Sequence, residues 1–218
     1  MKRVLDLALA GAALVVGGPL LVALSVAVKL DSPGPAFFIQ KRIGRGRRTI
    51  RVAKLRTMVD RPDGSGPKVT AAHDPRVTRI GRFLRRTKLD ELPQLWNVVR
   101  GDMSIVGPRP EVPEYVARYR PEWQALFSVR PGLTDLASLT FRDEEQLLAL
   151  ARDRERAYME VVMPMKLQLA LDDVARSSIG NDLAMIARTV RAVIARDDHT
   201  KDPVIREAMR RIEELNRT

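Results

Sequence analysis

The hydrophobic pattern changes character once, near residue 30. Leu7 to Val28 is a run of 22 residues without a charge, long enough for a helix to span a bilayer. Beyond it, apolar residues come in small groups among many charges. Phe37, Phe38 and Ile39 open a segment in which Thr49-Ile50-Arg51-Val52-Ala53 partly alternates, which predicts two short strands about the turn Ile43-Gly44-Arg45-Gly46. From Asp74 the period becomes helical, with Val77, Ile80, Phe83 and Leu84 on one face and arginines between them. Leu89 to Val99 reads as an apolar-rich helix ended by Gly101. Helices are also expected over Glu114–Phe127, interrupted near Pro121, and over Glu144–Val162, Lys166–Arg176, Leu183–Arg196 and Ile205–Leu215. Asp60 to Pro67 carries two prolines and two glycines and reads as a flexible loop. Pro108-Arg109-Pro110 and Arg130-Pro131-Gly132-Leu133-Thr134 read as rigid turns. The fold class expected is predominantly α with a small β-hairpin.

Three forms suit the apolar start: a signal peptide with Lys2 and Arg3 as its positive end, a spanning helix, or a re-entrant hairpin. Two observations favour the last. Gly17-Gly18-Pro19 lies at the middle of the run, where Gly18 and Pro19 would break the helix. The halves would each be roughly 14–15 Å long, about half the hydrocarbon thickness. Basic residues also flank both ends, Lys2 and Arg3 before, Lys29, Lys41 and Arg42 after. The positive-inside tendency would put both ends on the cytoplasmic side. The expected organisation is therefore a membrane hairpin over 1–30, a catalytic domain over 31–196 at the membrane surface, and a helical extension over 197–218. That extension is polar and amphipathic and reads as a docking or oligomer helix, with a homodimer as one expected partner.

Composition narrows the chemistry. With no cysteine and only His73 and His199, thiolate sites, histidine-based zinc and a Ser/His triad are disfavoured. A net charge of +11 calls for an anionic partner: nucleic acid, lipid headgroups or phosphorylated substrates. Ten aromatics, not interleaved with the basic runs, give little support to nucleic acid. Asp90 and Glu91 are adjacent carboxylates, preceded by six basic residues between Arg76 and Lys88 and no acidic one. Alone, Asp90 suits a helix cap slightly better than a site. An acidic pair in a cationic surround also suits metal-assisted phosphate chemistry. Lys54 and Arg56 are candidates for cradling a diphosphate, though their basic hairpin equally suits attachment to anionic headgroups, and Arg109 on its stiff loop for a fixed phosphate clamp. The basic amphipathic stretch after Asp74 also suits a membrane interface.

These motifs occur together in one order: Lys2-Arg3-Val4-Leu5-Asp6, Ser32-Pro33-Gly34-Pro35, Gln40-Lys41-Arg42-Ile43-Gly44, Lys54-Leu55-Arg56-Thr57-Met58, Arg79 to Thr87, Leu89-Asp90-Glu91-Leu92-Pro93 and Gly101 to Glu111. In this the chain resembles the bacterial sugar transferase family, small monotopic phosphoglycosyl transferases, over nearly its whole length to about Thr189. The resemblance implies a re-entrant N-terminal helix and a catalytic region on the inner leaflet of the bacterial cytoplasmic membrane, facing the cytoplasm. It implies transfer of a phosphosugar from a UDP-sugar to a polyprenol phosphate (undecaprenyl phosphate), with release of UMP and dependence on Mg2+. It makes Asp90 the nucleophile and a metal ligand, Glu91 its acid/base or electrostatic partner, and Lys54, Arg85 and Arg109 phosphate contacts. Asp182 resembles a late family aspartate near the site. Inner-leaflet anionic lipids are expected partners and nucleic acid is not. Many members carry Pro-Gly-Ile-Thr-Gly and then Ala-Gln; Asp135 and Ser138 depart from that pattern, which bears on sugar or nucleotide preference. Magnesium takes oxygen ligands and often only one or two protein carboxylates, which fits a chain so poor in histidine and cysteine.

Overall fold

The structure is a computed structural model that describes residues 1–59, 74–194 and 201–217; the loop expected at Asp60–Pro67 lies outside them. It is mostly helical, with two small sheets. Helix α1 (Lys2–Asp31) is followed by an antiparallel hairpin, β1 (Phe37–Ile43) and β2 (Thr49–Leu55), paired from Phe37↔Leu55 to Ile43↔Thr49. Then come α2 (Arg79–Thr87), a 3-10 turn at Leu89–Glu91, and α3 (Gln94–Arg100), ended by Gly101 at φ 93°. The predicted hairpin and these helices are present, the helix at Leu89 beginning as a 3-10 turn.

Helix α1 is continuous through Gly18 and Pro19, so the expected helix–break–helix is one helix with a proline inside it. Proline removes one N–H donor, and an apolar segment still satisfies its other backbone groups best by staying helical. Only Asp6, Ala10 and Val28 of α1 are buried, and Val15 and Val16 at its middle are 79% and 82% exposed. It is the one helix among the described residues long and apolar enough to cross a membrane.

Both ends of α1 dock on the same body. At its start, the Arg3 guanidinium donates to the Val98 and Val99 carbonyls at 2.6 and 2.8 Å. The Asp6 carboxylate accepts from Ser104 Oγ at 2.8 Å and from the Ile105 N–H at 3.0 Å. At its end, the Asp31 carboxylate accepts the Ile80 N–H at 3.0 Å, and Val28 packs with Leu55 and Leu84. Asn97 of α3 reaches the free edge of β2, donating to the Arg51 carbonyl and accepting from the Ala53 N–H. A side chain thus replaces a third strand.

Two elements escaped the sequence pattern. β3 (Ser104–Val106) and β4 (Gly132–Thr134) pair in parallel, bringing the two rigid turns together. Their backbones cross so closely that a Cβ on Gly132 would lie 2.2 Å from the Gly107 nitrogen.

The remaining chain forms a helical lobe. It holds α4 (Pro113–Val116), a 3-10 segment Pro121–Ser128, α5 (Leu136–Thr140), α6 (Glu144–Ala149), α7 (Arg154–Ala157), a π turn Tyr158–Val162, α8 (Met163–Ala175), α9 (Ile179–Ile194) and α10 (Pro203–Arg217). The helix expected over Glu144–Val162 breaks at Leu150–Asp153 and restarts where the Asp153 side chain accepts the Arg156 N–H. Trp123, Phe141, Leu148, Tyr158 and Val162 fill this lobe together with Ile205, Ala208 and Ile212 of α10. The apolar face of the C-terminal helix, expected to serve docking or oligomerisation, is therefore buried in its own chain.

Candidate active site

The acidic pair sits in the turn between α2 and α3. Lys88 ends α2 in the left-handed conformation, φ 58°, and turns the chain so that Asp90 and Glu91 face β2 and the Pro108-Arg109-Pro110 loop. A Cβ on Gly81 would lie 2.0 Å from the Thr57 carbonyl oxygen; only glycine lets α2 approach the end of β2 this closely.

The two carboxylates have different surroundings. Glu91 is clamped: Oε1 accepts from Lys54 Nζ at 3.0 Å and from Arg109 Nη2, and Oε2 accepts from Arg109 Nη1 at 3.1 Å. Burial opposes its ionised form, but Arg109 and Lys54 outweigh this and hold its pKa well below the usual carboxylate range. Asp90 is 7% exposed, and its buried Oδ1 has no hydrogen-bond partner among the described residues. Burial, then the neighbouring Glu91 charge, pushes its pKa up. Burial lowers the pKa of Lys54 despite Glu91, whereas Glu91 keeps Arg109 firmly protonated.

Lys54 and Arg109, far apart in sequence, thus meet at Glu91 of the acidic pair. Arg85 lies near enough to attract Asp90, but its Nε donates to Thr57 Oγ1 and its Nη1 to Glu145, at 3.0 and 2.7 Å. Arg56 is elsewhere. Its buried guanidinium donates to the Pro33, Ser32 and Val28 carbonyls at 2.8, 2.6 and 3.3 Å, capping the C-terminus of α1. Side chains alternate along a strand, so Lys54 and Arg56 share a face, but the end of α1 takes the second. Asp182 pairs with Lys2 at 2.5 Å, on the wall of a separate cavity shared with Asp6 and Ser104. It is not brought to Asp90 and Glu91.

A cleft of about 460 Å³ opens beside Lys54 and Arg109 and extends under the helical lobe to Glu144 and Lys166. Asp135 lines it, almost fully buried. One carboxylate oxygen accepts the Ser138 N–H at 2.7 Å, capping α5, and the other the Arg109 N–H at 3.3 Å. Glu111 is the residue that sequence reasoning missed: it receives Arg42 Nη1 at 3.0 Å and the Tyr158 hydroxyl, tying the arginine loop to β1 and to the lobe. A bare glutamate after Arg109-Pro110 carries no signal for partners 69 and 47 residues away. The Asp135 cap, by contrast, is a local pattern that a sequence can reveal.

An exposed apolar helix docked by both ends, beside buried carboxylates ringed by cations, defines a membrane-associated protein equipped for phosphate chemistry. The chain belongs to the bacterial sugar transferase family, whose model matches residues 1–196. It is similar to a UDP-glucose:undecaprenyl-phosphate glucose-1-phosphate transferase of Caulobacter vibrioides, 40% identical over 201 residues, covering 90% of this chain and 71% of that protein. It is also similar to a putative undecaprenyl-phosphate N-acetylgalactosaminyl 1-phosphate transferase of Bacillus subtilis, 44% identical over 122 residues, 56% of this chain and 68% of the other. A UDP-glucose:undecaprenyl-phosphate glucose-1-phosphate transferase of Escherichia coli is 39% identical over 166 residues, 74% of this chain and 36% of its own length.

Proposed function

We propose that this chain transfers a phosphosugar from a UDP-sugar to undecaprenyl phosphate, releasing UMP, through a covalent aspartyl-phosphosugar intermediate. The observation that carries this is the asymmetry of the acidic pair: Glu91 is clamped by Lys54 and Arg109, while Asp90 keeps a buried oxygen without a partner among the described residues. Asp90 attacks the sugar-bearing phosphorus. Its oxygen–phosphorus bond forms as the bond to the UMP oxygen breaks, and UMP leaves with that electron pair. A phosphate oxygen of the polyprenol phosphate then attacks the same phosphorus and returns the carboxylate to Asp90. Glu91, held ionised, acts as an electrostatic partner that keeps Lys54 and Arg109 oriented until the diphosphate arrives.

The donor set fits magnesium. Asp90 offers a free carboxylate oxygen, and no group of three His, Cys, Asp or Glu residues that could hold a metal occurs among the described residues. That suits a cation that takes one or two carboxylates and substrate phosphates. Asp90 would hold it, and when bound it would neutralise the diphosphate oxygens.

The docking of α1 supports a one-sided membrane arrangement. A straight spanning helix would carry its ends to opposite faces of the bilayer, yet Arg3 and Asp6 at one end and Val28 and Asp31 at the other hold the same body. We take both ends of α1 to lie on one face of the membrane, the cytoplasmic one. Exposed Phe37, Phe38, Ile39, Phe83 and Trp96 would rest among headgroups.

Purified protein incubated with UDP-sugars, Mg2+ and undecaprenyl phosphate should release UMP, and Asp90→Asn should reduce that release at least a thousandfold. Release undiminished in Asp90→Asn would remove the nucleophile assignment.

A further inference from the structure

The cleft that begins at Lys54 and Arg109 has a second polar end, built from a distant part of the chain. Glu144, in the first turn of α6, accepts from the ammonium of Lys166 on α8, whose nitrogen lies 5.7 Å from the centre of the Tyr158 ring. Both residues line the same cavity as Lys54 and Arg109. We infer that Glu144 and Lys166 form the subsite that reads the hydroxyl pattern of the transferred sugar. This rests on the transferase reading above.

Charge separates the two ends. Lys54 and Arg109 are two cations gathered on Glu91, which suits a diphosphate. Glu144 and Lys166 neutralise one another, as Glu145 and Arg85 do beside them, so a phosphate gains little there. A neutral polyol gains more, because the pair presents acceptors and donors side by side.

Hydrogen-bonding capacity points to the same pair. Among the other charged groups on the cleft wall, Glu114 is exposed to water, Glu145 is paired with Arg85, and Glu111 is committed to Arg42, the Tyr158 hydroxyl and the Val112 N–H. Asp135 spends one oxygen on Ser138 and the other on Arg109. Arg42 is committed to Gln40, Glu111 and the Pro110 carbonyl. Lys166 has three donors, of which Glu144 takes one. Glu144 has a second oxygen beyond the one that accepts from Lys166. Both side chains are about four-fifths buried, at 17% and 24% exposure, so a bound hydroxyl would meet them with little competition from water.

The test uses the full chain, with UMP release measured on UDP-glucose, UDP-galactose, UDP-N-acetylglucosamine and UDP-N-acetylgalactosamine. Lys166→Met keeps the stem and removes the donors; Glu144→Gln keeps the shape and removes the charge, and decides the matter should Lys166→Met not fold. Each should change the ratio of kcat/KM between the preferred sugar and its competitors by about tenfold or more, with KM for the polyprenol phosphate unchanged. A purely structural ion pair would leave those ratios alone. Unchanged ratios, or an equal loss on every sugar, overturn the subsite. Absence of UMP release by the wild-type protein from every UDP-sugar would instead overturn the transferase reading.

Discussion

Asp90 and Glu91 are neighbours with the same functional group, and their surroundings give them opposite acidities. Burial pushes Asp90 up, while Arg109 and Lys54 hold Glu91 down. Attack requires ionised Asp90, so kcat/KM should fall as pH drops, with an acid limb above the usual carboxylate range. A profile flat down to pH 4 would contradict this. The same shift carries a stability sign. A carboxyl whose folded pKa is raised destabilises the fold increasingly as pH rises through its unfolded value to its folded one. Asp90→Asn should therefore be more stable than wild type at neutral pH. Near pH 3, where Asp90 is protonated in both states, the difference should vanish in thermal melts. Arg56 gives the contrasting case. Its bonds go to the end of α1, so Arg56→Met should cost roughly 2–4 kcal/mol of stability, whereas Lys54→Met should chiefly raise KM for the UDP-sugar. Adjacent carboxylates and abundant cations were legible in the sequence. The division between Lys54 and Arg56 was not, because strand alternation gives them the same face and only the position of α1 separates them.

Among the elements, α1 and the β3–β4 pair show where local pattern stops being informative. The apolar run and its flanking charges gave the length and boundaries of α1 closely, since hydropathy is a local property. The proline suggested a break, and the helix runs through it, because one missing donor costs less than leaving several backbone groups unpaired in an apolar setting. Cysteines placed at the exposed positions Val4 and Pro35 should both be labelled by a membrane-impermeant maleimide from the cytoplasmic side of inverted vesicles. Labelling from opposite sides would make α1 a spanning helix. The strands β3 and β4 are three residues each, too short for alternation to register. They exist because two glycines allow the backbones to approach, and their pairing fixes the loop that carries Arg109.

At the scale of the whole molecule, α10 lies beyond the residues matched by the family and still completes the lobe behind the cleft. Ile205, Ala208 and Ile212 are nearly or fully buried, so ending the chain at residue 200 should cost about 3–6 kcal/mol, lower the thermal midpoint and weaken activity through the lobe. A truncated protein with unchanged melting and turnover would show α10 to be dispensable. The sequence by itself determined the apolar anchor, the hairpin, most helices, the acidic pair and the family, all carried by local spacing and by motif order along the chain. The tertiary structure alone decided which cations meet Glu91, where Arg56 and Asp182 are spent, and that α10 is buried. Those outcomes depend on contacts between residues tens to hundreds of positions apart, and no local period encodes them.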